Sequence, residues 1–537
     1  MNCQMISRTS LIALAFAGSA SAQDIEVRQL GALDPLEVQI ADTPLESDLW
    51  RGSSAETARA AMSALPGANG NGYASPALTE LAGRVLLSGG EPPAGARGDT
   101  ALAALRADRA LAAAGAPAAF ALLERTPGLE RRPGLAMLHA ELAFALGRGN
   151  EACRTANGMV EGRDQPYWLR ARAFCHALNG QDAAAELSVD LARAVEPDET
   201  FDTLLFALTL EQPIPSGLAI DSGLEWALVH VTADGAHPDV DVSGAPRWLR
   251  DVAELTAPPA ELPDEWAAAL SAANAFDGSE RAAAFDELIT QRQDRLIAGI
   301  ALGRALNTAK ANGRFLETAF RYGREINTLP VSEGTIEFGG HFVMAALLAG
   351  DVSTARRWRR ALDDGPPSPY PPGLIRETKP DELTQPANAS ASFDRPEWSP
   401  PPARYLVALD TAIAVAEDRI RRDSMEALLG ARLEAGPDAL ASVAALASLG
   451  ASAPIEWRIA LLEAESGEVD NFLAGMEAAD FAGARAETLI LAIAALSGET
   501  DTVSAQALMR VCAMLDRVGF RDMALKLVVE RIILEIA

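Results

Sequence analysis

Between residues 133 and 194 apolar side chains return every three or four positions, as at Leu138, Leu142 and Leu146, the spacing that lines one face of an α-helix. Four helices are predicted there, over 135–146, 151–161, 167–178 and 182–194. The breaks after the first and third share a phrase: a glycine, four residues, then an alanine. It reads Gly147-Arg-Gly-Asn-Glu-Ala152 and Gly180-Gln-Asp-Ala-Ala-Ala185, and it returns as Gly350-Asp-Val-Ser-Thr-Ala355 and Gly519-Phe-Arg-Asp-Met-Ala524. Each time an apolar helical stretch runs in and another begins within a few residues. Glycine ends a helix because it takes the left-handed conformation without a Cβ clash, and a small alanine lets the next helix lie close. The pattern predicts an all-α fold, an α-solenoid of stacked helical hairpins, with these four Gly/Ala pairs packing its turns.

The same pattern divides the rest of the chain. Residues 23–53 read as an extended N-terminal arm laid against the body, since Ile25-Glu-Val-Arg-Gln-Leu30 alternates apolar and polar. Residues 54–362 read as an N-terminal helical-repeat domain, with a long Ala/Leu helix from about Asp99. Its periodicity weakens over 201–263, where Pro213 and Pro215 break any helix and 230–241 reads as a loop. Helices return over 265–273, over 282–327 with a break near Asn312-Gly313, and over 335–362. Residues 363–403 form a Pro-rich connector: 366–402 hold eleven of the chain's 32 prolines. That connector is either a linker or a strap anchored on the surface by Leu374, Ile375, Phe393 and Trp398. Residues 404–537 read as a C-terminal helical-repeat domain, with helices over 457–465, 471–479, 486–496, 503–518 and 521–536. Gly467 and Gly498 mark further turns. The last helix is unusually apolar, so it folds back onto the body or meets a partner.

Within 167–197, Gly180, Ala185, Ala192 and Pro197 fall where the tetratricopeptide repeat places its turn glycine, two packing alanines and closing proline. The step from Gly147 to Gly180 also comes close to that family's period of about 34 residues. The segment thus resembles a degenerate tetratricopeptide repeat, with Ala173 and His176 where the family has a glycine and a tyrosine. It is also similar to uncharacterised exported helical-repeat proteins of alphaproteobacteria. These resemblances imply an α-solenoid with a binding role. They imply no particular ligand and no activity.

The first residues read as a secretory signal peptide over 1–22. Arg8 precedes an apolar run over 11–17, and Ala20-Ser21-Ala22 fits cleavage after Ala22. The run is too short to span a bilayer, so a periplasmic or secreted product without an integral membrane span is expected. Export into an oxidising compartment changes the reading of the cysteines. Cys153 and Cys175 flank a turn near 162–166 at similar distances, which places them at one height on two antiparallel helices. They are disulfide candidates, with two buried thiols as the competing reading. Cys512 reads as a buried helix residue. The formal net charge of −28 opposes nucleic acid and anionic lipid as partners.

No catalytic, cofactor or metal motif stands out. His230 and His237 with Asp234, Asp239 and Asp241 lack metal-ligand spacing and read as a solvated loop. There is no Gly-x-Ser-x-Gly elbow, phosphate loop or dinucleotide fingerprint. Tryptophans plug seams between helices more often than they line grooves. Trp398, in the Pro-rich segment, is the candidate for contact with a partner. The expectation is a non-enzymatic envelope scaffold or adaptor whose concave face holds a protein or peptide. The alternative is a polysaccharide- or peptidoglycan-processing enzyme with a superhelical domain.

Overall fold

The computed structural model describes residues 33–537 except 71, 234–238, 257–261, 276–277, 292–293, 367–397, 433–438, 453–454, 456–470 and 498–503. The signal segment, the start of the arm, most of the Pro-rich connector, the 457–465 helix and the turns at Gly467 and Gly498 lie outside the described residues.

The described chain is mostly helical. Its first half runs α1 (Ala55–Ser63), α2 (Pro76–Leu87), α3 (Thr100–Glu124), α4 (Pro133–Ala145), α5 (Gly149–Gly158), α6 (Pro166–Leu178), α7 (Asp182–Val195), α8 (Glu199–Thr209) and α9 (Gly223–Thr232). It continues with α10 (Arg247–Thr256), α11 (Trp266–Ala275), α12 (Gly278–Asp286), α13 (Arg295–Ala311), α14 (Phe315–Tyr322), α15 (Gly339–Leu348) and α16 (Val352–Asp364). Beyond the Pro-rich segment come α17 (Ala403–Ala416), α18 (Asp423–Arg432) and α19 (Leu440–Ser448). The last four are α20 (Asn471–Phe481), α21 (Arg485–Leu496), α22 (Ala505–Arg517) and α23 (Arg521–Ile536). Among the described residues the strands are β1 (Leu218–Ala219) and β2 (Val240–Asp241), a short parallel pair.

Helix starts follow capping chemistry. The side chains of Ser54, Ser75, Asp99, Asp198, Ser222, Asp294, Asp351 and Ser504 each accept a backbone N–H in the first turn that follows. The four phrase glycines all take positive φ: 73° at Gly147, 65° at Gly180, 77° at Gly350 and 86° at Gly519. At each turn the next residue's N–H reaches back to a carbonyl five positions earlier, as from Arg148 to Ala143 at 2.7 Å and from Phe520 to Leu515 at 2.7 Å. This is the glycine-capped helix end that satisfies otherwise orphaned carbonyls. The same bond recurs at Gly313, Gly450 and Gly483, and at Glu211 and Asp418, which also take positive φ. The turn is therefore more widespread than its Gly/Ala signature. Ala152, Ala185, Ala355 and Ala524 are all buried.

Several sequence expectations need correction. The helix from Asp99 breaks at Gly115, whose φ of 77° bends α3 just ahead of Pro117. The weakly periodic 201–263 region holds most of α8, with α9 and α10. His230 lies on α9 and not in a loop. Helix α9 escaped the pattern because Leu224, Trp226, Ala227, Leu228 and Val229 bury it nearly all round, which erases the polar face a periodicity reading needs. The stretch over 282–327 is broken by a wide turn at Glu287–Gln291 before α13.

The arm is pinned by one cation. Arg106, fully buried on α3, donates to the carbonyls of Pro35, Leu36, Val38, Leu86 and Ser88 at 2.7–3.1 Å. Arm residues Leu36, Val38, Leu49 and Trp50 are buried behind it.

The first helices meet the last ones. Helix α21 packs on α1 and α2, and α23 packs on α2, α15, α17, α19 and α22. The Ala486 N–H donates to the Leu49 carbonyl at 3.1 Å, and Lys526 pairs with Glu80 at 2.6 Å. In an open solenoid each repeat touches only its neighbours. Here the apolar last helix folds back and becomes a central element, with Leu527, Val528, Ile532 and Ile533 buried.

Candidate protein-interaction surface

The 133–210 block sets out the geometry. Helices α4, α6 and α8 are the first members of successive hairpins, and α5 and α7 the second. Helix α9 packs on both α4 and α8. Gly223 lets α9 approach so closely that a Cβ there would collide with the Glu141 carbonyl. The Glu141 carboxylate accepts the Gly223 N–H at 2.6 Å, which places a negative charge at the positive end of the α9 dipole. Burial nevertheless pushes the Glu141 carboxyl above its usual range, and the buried Tyr167 phenol beside it is pushed up as well. Glu225 accepts the Asp221 N–H at 3.0 Å, and burial raises its carboxyl to about 7. The Glu141 bond ties the start of α9 to α4, while the Glu225 bond closes the turn that leads into α9.

Cys153 on α5 and Cys175 on α6 are joined as a disulfide, with 5.7 Å between their Cα atoms. Cys512 is a buried thiol, and burial pushes it up to about 12. The Trp398 indole donates to the Leu362 carbonyl at 3.1 Å and lies against Gly365, so it is tied to the end of α16. Trp50, Trp168, Trp226, Trp248 and Trp358 are buried, while Trp457 lies outside the described residues. Asp234 and His237 also lie outside them. His230 Nδ1 is 3.0 Å from the Trp226 carbonyl, Asp239 accepts from the Ser216 hydroxyl, and Asp241 accepts from the Ser243 N–H. Among the described residues no group of three or more His, Cys, Asp or Glu side chains is placed to hold a metal ion. Likewise, no described helix is long and apolar enough to cross a membrane.

The exposed side of α7 offers a different surface. Helix α7 buries Ala185, Val189 and Ala192 towards α6, while Leu187, Leu191 and Val195 point outward and stay exposed. Sequence reasoning missed these three. Their signal was present: a second apolar line at four-residue spacing, beside a first line already sufficient to bury the helix. Large apolar side chains standing together in water mark interaction surfaces more often than isolated ones do.

No protein-family model, no curated protein and no solved structure matches this chain.

Proposed function

We propose that this chain is an exported helical-repeat scaffold or adaptor of the cell envelope, freed of residues 1–22, that works by holding another protein on its surface. The observation that carries this reading is the solvent-facing apolar line on α7. The exposed line on α7 is the face that this reading offers to a partner. The Cys153–Cys175 bond suits an oxidising compartment. The tetratricopeptide-like arrangement is part of the same proposal and rests on the recurrent glycine-capped hairpins.

Crosslinking of the full chain in living cells, followed by mass spectrometry of adducts, tests the reading. A reproducible set of envelope proteins is expected. Purified chain that releases muropeptides from sacculi at a catalytic rate would overturn it in favour of a peptidoglycan-processing enzyme.

A further inference from the structure

Helix α7 carries two parallel lines of side chains along its length. Leu187, Leu191 and Val195 form the apolar line, each four residues from the next, with exposures of 62%, 50% and 65%. Glu186 and Asp190 sit one position before Leu187 and Leu191, and Asp182 extends this acidic line one turn towards the start of the helix. Successive residues on a helix differ by about 100°, so the acidic line runs alongside the apolar one as a flank. The cation within this stretch, Arg193, points to the neighbouring helix, where it pairs with Asp202 at 2.7 Å and lies over the Phe206 ring. Asp190 is 3.4 Å from that guanidinium, whereas Asp182 and Glu186 face solvent.

An apolar line two turns long suits the anchors of another helix, which recur at the same three- and four-residue spacing. A sheet edge would seek unpaired backbone groups, and the middle of α7 has none. The acidic flank selects among helices. A second copy of this chain, docked with its α7 antiparallel about a twofold axis, would bring acidic lines towards each other in a protein already at −28. A helix with Lys or Arg beside its apolar line would instead meet opposite charge.

On these grounds we infer that the outer face of α7 is a docking site for an amphipathic helical segment of a partner protein, with a basic flank beside its apolar line. The inference rests on the scaffold reading and deepens it by naming the partner's chemistry.

The test uses the full mature chain and three fluorescent peptides of about three to four helical turns. One has leucines at helical spacing with flanking lysines and arginines. A second has the same composition scrambled, and a third replaces the basic residues with glutamates. Fluorescence anisotropy should show binding of the first and roughly tenfold or more weaker binding of the other two. Leu191→Asp should cost the first peptide about tenfold in affinity, and Glu186→Lys should weaken it and flatten its salt dependence. Both positions are exposed, and unchanged thermal melts of the variants verify that the fold is intact. Equal binding of the ordered and scrambled basic peptides, or indifference to Leu191→Asp, overturns the inference. So does a wild-type dimer in sedimentation that Leu191→Asp converts to monomer, because the occupant is then a second copy. If envelope crosslinks persist unchanged in Leu191→Asp, this inference fails while the scaffold reading stands.

Discussion

Glu530, on the last helix, accepts the hydroxyl hydrogen of Ser75, which caps the second helix 455 positions earlier in the chain. Its other carboxylate oxygen accepts the Ala77 N–H at 2.6 Å, so one side chain satisfies two donors at the start of α2. Lys526 and Glu80 flank it as an ion pair. This is where α2 and the last helix are fastened together.

Burial pushes the Glu530 carboxyl up to about 7, against opposing effects from its two donors and Lys526, and Glu225 is raised to about 7 as well. Carboxyls raised in the folded state bind protons more tightly than in the unfolded chain. Their contribution is complete below the ordinary carboxylate range and is lost as pH rises towards 7. Asp351 and Asp418 are held below that range by hydrogen bonds and act oppositely, losing their contribution only at strongly acidic pH. Stability is therefore expected to peak in mildly acidic solution. Each raised carboxyl should add a slope of up to about 1.4 kcal/mol per pH unit between pH 5 and 7. Denaturant midpoints across pH 4–8 test this. Glu225→Gln should flatten the profile, and an unchanged profile would refute the assignment.

Replacing Arg106 removes five donors from buried carbonyls at once. Arg106→Leu should destabilise the chain by about 4 kcal/mol and expose residues 33–40 to protease. Arg106→Lys should recover only part of this, because a single ammonium cannot fork to five acceptors. Urea unfolding of the three proteins tests the ranking. Equal stability of the leucine and arginine forms would contradict the clamp.

Cys153 and Cys175 should stay unlabelled by a thiol reagent in unfolded, non-reduced protein, while Cys512 labels under the same conditions. Reduction should lower stability by about 3 kcal/mol, the loop-entropy scale for a cross-link of this span. Labelling of all three without reductant would show the bond to be absent in solution.

At Gly147 nothing lies within 4 Å of the position a Cβ would take, so the demand there is conformational and not steric. Gly147→Asn should change stability by only a few tenths of a kcal/mol, while Gly147→Val should cost about 1–2 kcal/mol. Thermal melts separate the two. A valine variant as stable as wild type would mean that the turn does not need a left-handed residue.

Local chemistry on this chain was legible from its sequence. Helix-period apolar spacing and the Gly/Ala phrase located the hairpins over 133–194 and the turns at Gly350 and Gly519, because a helix end is decided by a few adjacent residues. The antiparallel turn near 162–166 likewise put Cys153 and Cys175 at one height. Helix α9 stayed hidden because it is buried nearly all round, and the break at Gly115 because alanine-rich sequence on both sides favours helix. Only the tertiary structure decided that α9 packs on α4 and α8, that Arg106 gathers carbonyls from two separate segments, and that Glu530 reaches Ser75. Those relationships join residues distant in the chain, and their energies come from burial and charge that exist only once the helices have packed. The sequence by itself determined where helices form and turn; packing determined which faces were left for water.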